Sequence, residues 1–306
     1  MLTKHTHRSL TWVDLESPTR EEIREIVESY RIHPLLAHDL TAPTFKPRVD
    51  LYDNCIYLIL HFPQLRGEHG VSGDGEEVDF IIGKDFLITA RHGTLTPLHH
   101  FSKVFEVTSI LDKGDIGEHA GFLFFHMITR LYEALMEDLE SIKRDIAAIE
   151  REVFAGRERE MVIALSHASR KLLDFKRATS LHKEVFRSFE TAGGTFFGSD
   201  FRYHLRAITG EYYKIADAIE NNLEAVQELR ETNNSLLSTR ENEQIRILTT
   251  VAFITLPLSM LASLFQIDAT ARPLIGQYEN DFWIFIGIMI VLGAGLFAVF
   301  KYKKWL

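Results

Sequence analysis

The sequence predicts an α+β soluble domain followed by a long stalk helix and two membrane-spanning helices. Three observations carry this. From Ile247 to Ile267, 21 consecutive positions hold no charge, and from Phe282 to Phe300 there are 19 more; about 20 apolar residues suffice for a helix to cross the hydrocarbon core. Residues 201–256 contain no proline and keep a heptad pattern. The first 115 residues mix β-rich runs with capped helical segments.

The soluble part comes first. Trp12-Val13-Asp14-Leu15 reads as a strand, and Ser17-Pro18-Thr19 caps a helix with acids in its first turn. Leu51–Phe62 and Val78–Ala90 are rich in β-branched and aromatic residues and read as strands, joined by a polar loop over Gly67–Gly75. These segments define an α/β domain over residues 1–115. A helical hairpin over 116–200 follows. Ile128, Leu131, Leu135, Leu139, Ile142, Ile146, Ile149 and Val153 step by three or four through its first helix. Its second covers about Met161–Phe189 before the three glycines of Thr191–Ser199 interrupt the pattern.

The stalk occupies 201–267 and continues into the first span, about 247–267. Ile208, Ile215, Asn222, Leu229 and Leu236 lie seven apart, interleaved with Tyr212, Ile219, Val226 and Asn233; this is a coiled-coil seam with polar interruptions. Unbroken, that helix is about 80 Å long. The seam fits either an intramolecular bundle or a stalk that self-associates around an axis. An external loop (268–281), the second span (282–300) and a basic tail (301–306) complete the chain. Arg240 and Arg246 precede the first span, and Lys301, Lys303 and Lys304 follow the second. The loop carries Asp268, Glu279 and Asp281 against one Arg. The positive-inside rule then puts both termini in the cytoplasm of a multi-pass inner or plasma membrane protein. Trp283 and Trp305 stand where interfacial anchors belong. Ala294 and Ala298 form a small-xxx-small pair. A buried soluble hairpin is the alternative to two spans, but nothing in the chain is left to cover it.

Composition narrows function. A net charge of −9 argues against general nucleic-acid binding, and 46% hydrophobic with 25% charged residues excludes a bundle made only of membrane helices. Met1–His5 lacks the apolar core of a signal peptide, so the soluble part is expected to stay on the side where it is made. The lone Cys55 allows no internal disulfide and reads as a buried small hydrophobe, with a reactive thiol as the alternative. The 14 histidines are scattered; His5, His7 and His99-His100 lack a companion ligand cluster and read as surface residues. No nucleotide-binding loop, nucleophile elbow or His-Glu-x-x-His is present, so neither an enzyme nor a cofactor is expected.

Several blocks resemble the CorA family of divalent-cation channels across nearly the whole chain. They are Trp12–Leu15; Pro34-Leu35 with Asp39; Lys46-Pro47-Arg48-Val49-Asp50 with Tyr52; Phe86–Thr89 with Arg91; Asn242-Glu243 through Ile247–Thr249 and Pro257-Leu258-Ser259; and Lys303–Leu306. The resemblance implies a funnel-shaped homopentamer whose first spans line a pore. Asn242, Ile245, Leu248, Ala252, Leu256, Ser259 and Ser263 would face that pore. Ile245, Leu248 and Leu256 would make apolar rings able to gate by dewetting, and Ser259 a polar ring. Thr249, Thr250 and Thr255 are candidates for back-bonding to helix carbonyls.

At the mouth the family signature Gly-Met-Asn is replaced by Gln266-Ile267-Asp268, and Arg272-Pro273-Leu274 stands near the place of its acidic loop motif. Asp268 would form a carboxylate ring, and Glu279 and Asp281 would concentrate cations there. On the stalk, the family's Asp-His pair is replaced by Gly210-Glu211 while Asp217 is kept, which leaves Glu211 and Asp217 as a possible regulatory metal site. The implied cargo is Mg2+, or else Zn2+ (as in the related ZntB branch), Ni2+ or Co2+, and the implied partners are other copies of the chain and the bilayer. The alternative is a non-transporting, membrane-anchored sensing or interaction protein that keeps the fold.

Overall fold

The computed structural model describes residues 1–41, 43–44, 46–63, 75–93, 95–111, 117–265 and 281–303. Expectations for Gln266-Ile267-Asp268, Arg272–Leu274, Glu279, Lys304–Leu306 and all of the 67–75 loop but Gly75 fall outside them. The contacts divide the chain into two compact units, Met1–Arg230 and Glu231–Leu306.

In the first unit six strands form one sheet: β1 (Leu2–His7), β2 (Leu10–Glu16), β3 (Val49–Leu51), β4 (Ile56–Phe62), β5 (Glu76–Ile82) and β6 (Phe86–Arg91). Their order is β1-β2-β6-β5-β4-β3. Only β2–β6 is parallel, with Asp14 opposite Thr89. Every residue of β4, β5 and β6 is buried, which is why these segments read as continuous runs and not as alternation: both faces are covered. Each of the two long runs expected as strands is a turn-separated pair, because Asp53-Asn54 and Lys84-Asp85 turn the chain.

On one face lie α1 (Arg20–Ser29) and α2 (Pro34–Asp39). They bury Ile23, Ile26 and Leu36 against Val13, Leu15, Tyr57, Ile59, Ile81 and Ile88. Thr19 caps α1 with a reciprocal bond to Glu22. Against the other face pack α3 (Thr96–Leu111), α4 (Ala120–Phe154), α5 (Glu158–Thr179) and α6 (His182–Phe196). Phe124 meets Phe80 and Phe189 edge-on at 5.2 and 5.1 Å, an arrangement aromatic quadrupoles favour.

Of the three glycines read as interrupting the pattern, Gly198 does follow the end of α6, with φ +102°, but the expected second hairpin helix also has an earlier break. It falls at Ser180-Leu181, and α6 runs on through Gly193 and Gly194. Cβ atoms there would sit 2.9 Å from Leu205 Cδ1 and 2.6 Å from Arg202 Nε, so these glycines permit close approach of the next helix and do not end their own.

That next helix, α7 (Arg202–Phe265), is one 64-residue element containing Pro257, so the stalk does run unbroken into the first span. Ile208, Tyr212, Ile215, Ile219, Asn222, Val226 and Leu229 are buried within the single chain. As far as Leu229 the seam is filled within one chain, as the intramolecular reading expects. Asn222 donates to Ala218 O at 2.9 Å. Asn233 is buried with neither side-chain atom bonded. The second apolar helix, α8 (Asp281–Tyr302), follows, and both α7 and α8 include a stretch long and apolar enough to cross a membrane.

Candidate functional site

The candidate site is one face of α7 in the second unit. With 3.6 residues per turn, Ile245, Leu248, Ala252, Leu256, Ser259 and Ser263 fall within about 80° of arc, and Asn242 widens it to about 120°. All of these are exposed except Ala252, which is half-buried; Leu248 is 71% and Leu256 68% exposed.

The opposite face, about 180° away, is covered. Thr250 is 1% exposed, and Ile254, Leu258 and Leu261 are half-buried. This covered stripe meets α8, where Leu258 Cδ1 lies 3.6 Å from the Cβ position of Gly293. At its flank Phe253 and Phe300 approach to 6.3 Å between ring centres. On α8 the less exposed positions are Phe285, Ile286, Met289, Gly293, Leu296 and Phe300, a stripe at helical spacing. Ala294 and Ala298 are exposed, so the close approach uses Gly293 and not the alanine pair that the sequence singles out.

Hydroxyls along α7 satisfy local carbonyls. Thr250 donates to Arg246 O at 2.8 Å, Thr255 to Val251 O at 3.0 Å and Ser263 to Ser259 O at 2.9 Å. Pro257 has no N–H, so the carbonyl of Phe253 loses its helical partner. Asp281 begins α8; the other mouth residues, Gln266, Ile267, Asp268 and Glu279, lie outside the described residues.

Glu211 and Asp217 are not brought together in one chain. Six residues apart on a helix, they stand about 120° apart around its axis. Glu211 binds Lys214 at 2.7 Å, and Asp217 is exposed. Among the described residues no group of three or more His, Cys, Asp or Glu side chains could hold a metal ion.

The histidine reading needs correction. Of the four histidines singled out, His7 is buried and His5 packs on Trp12 with ring centres 5.1 Å apart, while His99 and His100 are exposed. His182 is fully buried. Its Nε2–H donates to His61 O at 2.9 Å, and its Nδ1 accepts from Tyr132 OH at 2.5 Å. Burial pushes its value down to about 3, so the ring is neutral. His119 and His126 are also held below the ordinary range, by burial first and then by the nearby His204. On the other face of the sheet Tyr57 donates to Asp79 at 2.9 Å. Burial and then the neighbouring Glu77 raise that carboxyl well above the usual range. Nothing in the local sequence announces these groups, because each is made by residues far apart in the chain.

The chain and its fold have clear counterparts. Residues 7–303 match the family described as CorA-like Mg2+ transporter protein. The cobalt/magnesium transport protein CorA of Thermotoga maritima is 23% identical over 301 residues, covering 97% of this chain and 83% of that protein. The putative metal ion transporter YfjQ of Bacillus subtilis is 24% identical, with 96% and 89% covered. The complete structure of the CorA magnesium transporter from Methanocaldococcus jannaschii superposes with a TM-score of 0.83 at 16% identity, over 97% of this chain and 92% of that one.

Proposed function

The chain belongs to the CorA-like Mg2+ transporter family, and on that premise we propose that it is a passive membrane channel for divalent metal cations, Mg2+ foremost. Five copies surround the pore, each contributing the α7 face from Asn242 to Ser263. The observation that carries this reading is the division of α7 into two stripes. One is covered by α8; the opposite one, free in the single chain, holds every position that the family resemblance assigns to the pore.

The membrane potential supplies the driving force. A divalent ion gains about 4.6 kcal/mol on entering across 100 mV, at roughly 2.3 kcal/mol per charge. Both termini are cytoplasmic, and Asp268 stands at the outer mouth as a ring of carboxylates. Mg2+ gives up its water reluctantly, so this ring attracts the ion more than it strips it. Five close carboxylates do not all stay ionised without a cation among them. Zn2+, Ni2+ and Co2+ are the competing cargoes.

The test is dye-reported uptake of Mg2+, Zn2+, Ni2+ and Na+ into liposomes holding the purified protein, under an inside-negative potential. Uptake by wild type that falls at least tenfold in Asp268→Ala supports a carboxylate mouth. A folded oligomer that passes no ion above empty liposomes overturns the channel reading and leaves a membrane-anchored sensing or interaction protein.

A further inference from the structure

Along the exposed face of α7 the side chains from Ile245 to Leu256 are apolar, and polarity returns with two serines one turn apart, Ser259 and Ser263. Both are exposed, and they stand about 6 Å apart along the axis at 1.5 Å per residue. Their hydroxyls are not equivalent.

A serine hydroxyl has one hydrogen to give and two lone pairs to offer. Ser263 spends its hydrogen on Ser259 O, at 2.9 Å. What it turns outward is acceptor only. Ser259 has no such bond for its own hydroxyl among the described residues, so that group rotates to donate or accept. The other back-bonded hydroxyls of this region lie off the face: Thr250 is buried on the α8 side, and Thr255 sits at the flank.

The polarity matters because a hydrated cation binds its waters by their oxygens and points their hydrogens outward. Its shell seeks acceptors, whereas the shell of an anion seeks donors. Mg2+ keeps several waters in most of its sites. A ring of serines whose hydrogens are already committed welcomes the first kind of shell and not the second, and among cations it favours Mg2+ over Na+, because the doubly charged ion polarises its waters more strongly and holds them longer.

We propose that Ser263 is a specificity-determining residue of the pore, a fixed ring of acceptors that favours divalent cations carrying their water, while Ser259 serves as a polar lining without a preferred sense. This rests on the channel reading and deepens it. It places ion discrimination inside the span, in addition to the Asp268 mouth.

Cysteine substitution and ion flux test it together. Cys55 is fully buried and its thiol is pushed up to about 11, so wild type is silent to a charged, water-soluble methanethiosulfonate. Ser263→Cys is expected to react, more slowly in the presence of Mg2+. Ile254→Cys, on the covered stripe, is expected not to react. In liposomes, Ser263→Ala is expected to lower the preference for Mg2+ over Na+ about tenfold, Ser263→Thr to retain it, and Ser259→Ala to change it less. If wild type and Ser263→Ala conduct with the same preference, or if Ser259→Ala loses as much, the inference is overturned and the channel reading stands. Unreactive Ser263→Cys in a conducting protein overturns it as well. Absence of flux in wild type removes both.

Discussion

Two buried groups make opposite demands on pH. His182 has a folded value near 3 against about 6.5 in an unfolded chain. The unfolded state therefore takes up the proton first. The resulting penalty is absent above pH 6.5 and grows as pH falls toward 3. Thermal unfolding is expected to shift to lower temperature between pH 7 and pH 5. In His182→Gln, whose neutral amide still donates and accepts, that slope flattens. Asp79 runs the other way. Its folded value is raised by burial and by Glu77, so the stability tied to it is intact below about pH 3.9 and is lost as pH rises through the folded value. Asp79→Asn keeps an acceptor for Tyr57 and removes the charge. It is expected to raise the Tm at pH 7 by about 2–4 °C for each kcal/mol gained, and by less at pH 4. Equal effects at both pH values would contradict the assignment.

Glycine separates helix propensity from helix contact. Gly210 lies in the interior of α7 with nothing within 4 Å of a Cβ, and Ala in place of Gly favours a helix by about 1 kcal/mol. Gly210→Ala is expected to stabilise the chain against denaturant. Gly193→Ala, which meets the buried Leu205, is expected to give no such gain. The same contrast explains what could be read in advance. The face from Ile245 to Ser263 was singled out by the family resemblance and not by its period, whereas the seam from Ile208 to Leu229 was legible because a 3.6-residue period survives any tertiary context. β1 was not, since Leu2–His7 is an edge strand whose alternation is polar on both sides. The Ser180-Leu181 break has a lone serine and no glycine or proline to mark it, whereas Gly193 and Gly194 suggested a break where there is only close packing. On α8 the choice of Gly293 over the Ala294–Ala298 pair depends on Leu258 of another helix, and no pattern internal to α8 encodes it.

At the scale of the whole molecule, the proposed pore face is largely exposed in one chain, and under that proposal several copies close it. A native mass measurement in detergent is expected to return five times 35.2 kDa; a monomer retaining ion flux would refute the shared pore. Assembly has an earlier counterpart inside the sheet. β2 pairs in parallel with β6, so Trp12 can donate to Thr89 and Arg91 can meet Asp14 only across 77 residues of chain. The β1–β2 hairpin leaves the ribosome first and waits for its neighbour. At about 5–20 residues per second, that interval is roughly 4–15 s. A nascent chain thus spends seconds with an unpaired strand edge and an unburied indole, the period in which a chaperone has something to hold, and quenching or shift of Trp12 fluorescence would time its end.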